Sequence, residues 1–305
     1  MFSVENGRII VPRIELNVRT TLECGQVFRY RPLSSQPDST GQAWEIISTD
    51  KKCVLIEEGR SVIVHARKQD IPYFIRYFDL ETSYAPILRE VRTRARNGLT
   101  SGGAELVEAA LDYGRGLHIL RQDHFETLIS FIISTNNNIK RIQGIIERIC
   151  AALGKQCAEL PGAADDTFYA FPSAGAMAEK TEDFYRELGC GYRAGWLQAA
   201  AKKASGSYLA SLSGLPSMEL TAALQTFAGI GPKAADCIAI FAYGCYDVFP
   251  VDTWIKKLYG DLFTPEPAKN SCTVTPHIIR TNLTGCFGRF AGIAQQFLFY
   301  YYRSR

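Results

Sequence analysis

The sequence lacks any closely spaced pair of cysteines. Its nine cysteines, Cys24, Cys53, Cys150, Cys157, Cys190, Cys237, Cys245, Cys272 and Cys286, are scattered, with no Cys-x-x-Cys among them. Zinc ribbons and iron–sulfur clusters need neighbouring thiolates, so neither is expected. Free thiols in a reducing compartment are the simplest reading. No apolar run reaches the ~18 residues that cross a bilayer, so no membrane partner is expected. The first residues, MFSVENGRII, show no charged-then-apolar leader. There is no compact basic run of the nuclear-import type, which favours a bacterial cytoplasm, or the nucleus in a eukaryotic source. No internal repeat stands out. The net charge is only +3, compatible with nucleic acid without arguing for it.

What is present is an ordinary globular composition, 47% apolar and 21% charged over 305 residues. That length buries a sizeable core and predicts two domains. The first third reads as strands: GRIIVP, QVFRYR, AWEIIST, KCVLIEE and SVIVHA are short and rich in β-branched or aromatic residues. LSSQPDSTGQ, from Leu33 to Gln42, reads as a long loop. From about Asp70 the period becomes helical. Three consecutive asparagines interrupt the long apolar run after Gly116. Asparagine favours caps and turns, so Phe125–Thr135 and Ile139–Leu153 are expected as separate helices, or as one badly strained helix. The fold class is α+β: a sheet-rich N-terminal domain with flanking helices over residues 1–115, and a larger helical domain over 116–305.

The run LQTFAGIGPKAADC, Leu224 to Cys237, is the most informative stretch. Leu220, Ala223, Leu224 and Phe227 follow i, i+3, i+4, i+7 and define one helix face. Ser217 is a candidate N-cap. Gly229 and Gly231 permit the positive φ of a tight corner, and Pro232 fits the first turn of a following helix. The unit, about residues 218–243, is a helix–hairpin–helix. The second helix's free N–H groups suit a phosphate oxygen. Lys233, in that first turn, is expected as a partly desolvated amine nucleophile. A plain turn with a solvated lysine satisfies the same pattern. Asp252 lies nineteen positions later, and the chain between is long enough to return it to Lys233. It also suits the N-cap of a helix starting at Thr253.

The segments ECGQVFRY, GLHILRQDHFETLISFIISTNNNIKRI, LGCGYRAGWL, GIGPKAADCIAIFAYGCYDVFPVD and GIAQQFLF, in this order, resemble the helix–hairpin–helix (HhH-GPD) DNA glycosylases, and among them the 8-oxoguanine DNA glycosylase/AP lyases. The resemblance covers nearly the whole chain. It implies a TBP-like N-terminal sheet domain and a bifunctional glycosylase/lyase that flips 8-oxoguanine out from opposite cytosine. Lys233 matches the nucleophile that forms a Schiff base before β-elimination, and Asp252 the carboxylate that stabilises the transition state. Gly25 matches the residue whose backbone carbonyl accepts the N7–H of the lesion. Cys237 and Phe299 match the residues that sandwich the base, and Gln295 the reader of its Watson–Crick edge.

By the same resemblance Asn136 fills the vacated space, Arg141 and Arg193 hold the orphaned cytosine, and Tyr192 is the wedge. Amides near Gly229, Gly231 and Lys233 are expected to contact phosphate. No cofactor is required, though a structural monovalent or divalent cation is implied on the carbonyls of Gln225, Phe227 and Ile230. Trp254 stands where well-known eukaryotic members carry a histidine; its indole donates a hydrogen bond but no charge to a phosphate. Without the resemblance each residue has a plainer role: a turn at Gly25, a helix junction at Tyr192, a buried small side chain at Cys237. A monomer acting on double-stranded DNA is expected. The competing readings are a related glycosylase for another damaged base, and a DNA-binding hairpin without catalysis.

Overall fold

The structure is a computed structural model that describes residues 2–33, 42–157, 168–204, 206–263 and 274–304. Most of the loop expected at Leu33–Gln42, and Cys272, lie outside the described residues. Six antiparallel strands form the N-terminal sheet in the order β1-β2-β6-β5-β4-β3. They are β1 (Ser3–Glu5), β2 (Arg8–Pro12), β3 (Tyr30–Leu33), β4 (Ala43–Ser48), β5 (Lys51–Glu58) and β6 (Ser61–Ala66). The pairs Ile9↔Val64, Leu55↔Val64 and Trp44↔Leu55 put four apolar residues in one row. All four are buried, as the two-residue strand period demands of one face. A short helix α1 (Val18–Glu23) and the helix α2 (Ile71–Tyr77) close this core, with Phe74, Tyr77 and Phe78 packed into it.

The rest is helical: α3 (Tyr84–Gly98), α4 (Ser101–Tyr113), α5 (His124–Ser134), α6 (Ile139–Leu153), then a two-strand pairing of β7 (Gln156–Cys157) with β8 (Phe168–Tyr169). It continues with α7 (Ala174–Ala178), α8 (Glu182–Glu187), α9 (Ala194–Lys203) and α10 (Tyr208–Ser211). The last five are α11 (Ser217–Gln225), α12 (Pro232–Tyr243), α13 (Thr253–Phe263), α14 (Pro276–Phe287) and α15 (Ala291–Arg303). The architecture is α+β, as the sequence predicts. The two apolar cores divide the chain by packing. Val91, Ala95, Val107 and Leu111 of α3 and α4 join the core that contains α5, α12 and α15. The helical core thus draws on residues from both sides of the expected 115/116 boundary.

The asparagine break between α5 and α6 is where it was expected, and each residue has its own task. Asn136 takes a left-handed φ of 49°, which asparagine tolerates. The Asn137 amide donates to the Ile133 carbonyl (3.1 Å), and Asn138 caps α6 by accepting the Arg141 N–H (3.0 Å).

Two local expectations fail. QVFRYR is a strand only from Tyr30, because Gln26 is wholly buried as a tie. Its side-chain amide donates to the Thr21 and His118 carbonyls (both 2.8 Å) and its oxygen accepts the Leu120 N–H (2.8 Å). Ser217 does not cap α11. Pro216 holds that position, and the Ser217 hydroxyl donates to Asp247 instead.

Candidate active site

The corner between α11 and α12 is built on one glycine. Gly229 has φ +84°, and a Cβ there would lie 2.5 Å from the Trp196 ring. Gly231, expected to share that role, has an ordinary extended backbone (φ −89°, ψ 179°) and stands as N-cap of α12. Pro232 follows in the first turn, where its missing N–H costs nothing. Lys233 comes next. It is exposed rather than partly desolvated, and its Nζ stands 5.5 Å from the centre of the Phe131 ring.

Cys237 sits one turn beyond Lys233 on the same helix and is buried. Burial pushes its thiol up; the Lys233 ammonium pulls it back, while the Asp236 and Asp252 carboxylates push with burial. The Lys233 and Asp252 charges are thus both felt at this one thiol, with opposite sign. Among the described residues they form no direct ion pair. Asp252 caps α13: its Oδ1 accepts the Ile255 N–H (2.8 Å) and its carbonyl the Lys256 N–H (3.0 Å). Both roles read from the sequence are therefore compatible. Trp254, half-buried in that first turn, has Tyr302 at its edge (6.3 Å) and Lys257 over its face (4.8 Å).

The facing wall comes from distant parts of the chain. The start of α15 docks on the end of α12, with the Gly292 N–H donating to the Tyr246 carbonyl (2.7 Å). A Cβ at Gly292 would lie 2.7 Å from Ile240 Cδ1, so only glycine permits this approach. From there α15 presents Gln295, buried at 4% exposure, and Phe299, half-buried. Facing Phe299 is Gly25, with φ +84°. A Cβ there would lie 3.3 Å from the Phe299 ring and 3.1 Å from Arg303 Nη1. Gln296 donates to the Cys24 carbonyl (2.6 Å), fixing the Gly25 turn onto α15. Among the described residues the Gln295 amide has no hydrogen-bond partner. Gly25 and Phe299 thus meet directly, with Gln295 one turn before Phe299 on α15.

The expected DNA-facing residues gather at the α5–α6 turn. The Tyr192 hydroxyl donates to the Thr135 carbonyl (3.3 Å), and Thr135 Oγ1 donates to the Gly229 carbonyl (3.4 Å). Asn136 and Tyr192 are exposed, Tyr192 at 56%. The two arginines expected as a pair are not equivalent. Arg141 is exposed and makes a 3.4 Å contact to the Gly189 carbonyl. Arg193 is buried at 2%, gives its guanidinium to the Thr135 and Asn136 carbonyls, and lies under the Tyr192 ring (4.4 Å).

The hairpin carbonyls offer neutral oxygens, which suit a hard cation rather than a transition metal. Phe227 uses one lone pair on the Ile230 N–H (3.1 Å), leaving its second available. Next to it, the Lys203 ammonium donates to the Thr226 carbonyl (3.2 Å). Among the described residues no cluster of His, Cys, Asp and Glu could hold a metal.

Sequence reasoning missed Gln296 and Arg303, whose partners lie some 270 positions away in Cys24 and Gly25. It also missed a buried polar junction between the sheet and the helical region. Arg29 is buried and binds Glu147 (2.8 Å) and the Tyr169 carbonyl (2.7 Å). Glu126 on α5 accepts the Thr49 N–H (2.7 Å). Burial pushes the Glu126 carboxyl up to about 7, against the pull of the Arg29 charge. An arginine in a strand-like run and a glutamate in a helix give no sign of meeting.

Residues 8–128 match the sequence model of the 8-oxoguanine DNA glycosylase N-terminal domain. The chain is similar to N-glycosylase/DNA lyase OGG1 of Arabidopsis thaliana, 34% identical over 192 residues, 61% of this chain and 52% of that protein. It thus spans about half the length of that curated relative. It is 25% identical to the N-glycosylase/DNA lyase of Saccharomyces cerevisiae over 279 residues, covering 84% of this chain and 70% of the relative. Among solved structures it resembles the Clostridium acetobutylicum 8-oxoguanine glycosylase/lyase, determined in complex with dsDNA containing cytosine opposite 8-oxoG. That likeness has a TM-score of 0.82 at 31% identity and covers 100% of this chain and 98% of the other.

Proposed function

The chain belongs to the 8-oxoguanine DNA glycosylase family, and from that premise we propose that it is a DNA N-glycosylase with an associated lyase step, acting on 8-oxoguanine opposite cytosine. The damaged nucleotide leaves the stack and its base enters the slot between Cys237 and Phe299. Oxidation turns N7 from an acceptor into a donor, and the Gly25 carbonyl accepts that proton. The unpartnered Gln295 amide reads the remaining polar edge. Normal guanine would face Gly25 with a second acceptor, leaving the carbonyl unsatisfied, a difference of about 1–3 kcal/mol.

Lys233 then supplies the nucleophile. Its amine, having lost a proton, forms a bond to C1′ while the glycosidic bond breaks, and the base leaves with the bonding pair and takes up a proton. The sugar ring opens to a Schiff base on Nζ. Loss of a C2′ proton expels the 3′ phosphate by β-elimination, and water releases the lysine. Asp252, rigid as the α13 cap, opposes the positive charge that develops at C1′.

Amides at Gly229, Gly231 and Lys233 meet a phosphate at the start of α12, and Trp254 with Lys257 over its face offers an indole N–H and a charge nearby. The Gln225, Phe227 and Ile230 carbonyls would hold a cation that links the hairpin to phosphate. On the opposite strand, Asn136 fills the gap, Tyr192 wedges beside it and Arg141 offers the exposed charge to cytosine. Arg193 shapes the turn that presents Asn136, because its guanidinium is taken up by that turn's carbonyls.

The observation that carries this reading is the direct meeting of Gly25 with Phe299, residues some 270 positions apart in the chain. Borohydride trapping on a duplex with 8-oxoguanine opposite each of the four bases tests it. A covalent adduct strongest opposite cytosine, and absent in Lys233→Gln, is expected. No adduct with the unmodified chain, or an adduct that persists in Lys233→Gln, would refute it.

A further inference from the structure

The slot has two recognised faces, yet nothing so far explains what sets the distance between Gly25 and Phe299. They belong to a turn near the start of the chain and to the last described helix. On α15 the residues Gln295, Phe299 and Arg303 recur every four positions, so they lie along one helix face. Gln296, beside this line, already anchors the turn at the Cys24 carbonyl (2.6 Å). Arg303 is one turn past Phe299. Its guanidinium carbon stands 5.7 Å from the centre of the Phe299 ring, and its Nη1 is 3.1 Å from where a Cβ at Gly25 would be. Arg303 is thus the charged side chain that touches both Gly25 and Phe299.

Its electrostatic imprint reaches the same turn. Burial pushes the Cys24 thiol up to about 11 and the Tyr30 hydroxyl up to about 12, and in both cases the Arg303 charge pulls the other way. Among the described residues Arg303 has no carboxylate partner. A half-buried guanidinium without a counter-ion is not there to close a salt bridge. Its guanidinium lies over an aromatic ring and beside a glycine whose φ of +84° disfavours a side chain.

We propose that Arg303 sets the width of the base slot, holding the Phe299 ring against the Gly25 turn, and so acts as a positioning residue for recognition of the oxidised purine. The proposal rests on the glycosylase reading above. It separates the two steps of that chemistry. A base must be gripped before its glycosidic bond is cut, whereas a preformed abasic site has no base to grip. Arg303 therefore matters for excision and not for strand cleavage by Lys233.

The test compares single-turnover rates of the full chain on two duplexes, one with 8-oxoguanine opposite cytosine and one with an abasic site at that position. Arg303→Ala is expected to slow base excision by about tenfold to a hundredfold, since small misplacements in a reacting complex are costly. Its abasic cleavage should stay within about threefold of the unmodified chain, showing an intact Lys233 site. Arg303→Lys, which keeps the charge but loses the planar face, should fall between. Unchanged excision in Arg303→Ala, or an equal loss on both duplexes, would overturn the proposal while leaving the glycosylase reading intact. An unmodified chain that cleaves neither duplex would overturn that reading, and this one with it.

Discussion

One wall of the site is local and the other is assembled. Residues 225–257 supply the hairpin, Lys233, Cys237, Asp252 and Trp254 within a single run of chain. The facing wall takes Gly25 from the turn after α1, and Gln295, Gln296, Phe299 and Arg303 from α15. The hairpin wall is fixed by backbone geometry: one positive φ at Gly229, a proline in the first turn and a capping aspartate. The assembled wall is fixed by side chains reaching across: Gln296 to Cys24, Arg303 to Gly25, and Gln26 to the segment around His118. The difference suggests a division of labour. On the proposed function, chemistry would sit on the part that folds from short-range contacts, and selectivity on the part that needs long-range ones.

The comparison can be broken most directly at the hairpin. Gly229→Ala forces a non-glycine residue to φ +84° and drives a Cβ into the Trp196 ring at 2.5 Å. The expected loss is roughly 2–4 kcal/mol in a denaturant titration. Base excision and abasic cleavage should fall together. Gly25→Ala is the counterpart on the other wall. Its Cβ would meet Phe299 at 3.3 Å and Arg303 at 3.1 Å, and Arg303 is a flexible side chain that can give. The cost is about 1–2 kcal/mol, and excision should drop by at least about tenfold while abasic cleavage barely moves. If both glycine variants lose the two activities in equal proportion, the walls are one unit.

A smaller effect is expected under the assembled wall, where Arg29 of the Gly25 segment approaches Glu126 of α5. The folded protein holds the Glu126 carboxyl at about 7, above its ordinary 4.5. Its contribution to stability is therefore complete below pH ~4.5 and is lost as pH rises through ~7. Glu126→Gln removes this dependence. The stability of the unmodified chain relative to Glu126→Gln should fall between pH 5 and 8 by on the order of 2 kcal/mol, read from parallel thermal or urea curves. A flat difference would show that the carboxyl is ionised throughout. The smallest effect belongs to Arg141→Ala. This exposed side chain makes one 3.4 Å contact, so stability should stay within about 0.5 kcal/mol. The salt dependence of DNA binding should weaken by about one unit of slope if Arg141 meets a phosphate, and selectivity for cytosine should fall instead if it meets the base.

How much of this was legible follows the same division. The hairpin, the asparagine break and the capping aspartate were read correctly because each depends on residues a few positions apart. The errors within the hairpin were of detail. Gly231 looked like a second positive-φ glycine, but an N-cap is extended. Lys233 looked desolvated, but it and Pro232 are exposed while Ala234 and Ala235 take the buried side of that turn. QVFRYR has the composition of a strand, and only the tertiary demand on Gln26 and Arg29 keeps its first half out of the sheet. Gly25 and Phe299 entered by resemblance, not by pattern. Arg303 and Gln296 carry no local signal at all, because what defines them is a neighbour at the other end of the sequence.

The late position of α15 also bears on the order of synthesis. Translation runs from the first residue to the last at roughly 5–20 residues per second. The segment that carries the reactive lysine is finished seconds before the helix that completes the selective wall. During that interval the nascent polypeptide holds the Lys233 amine at its hairpin without Phe299 and Arg303, and the proposed grip on a base waits for α15.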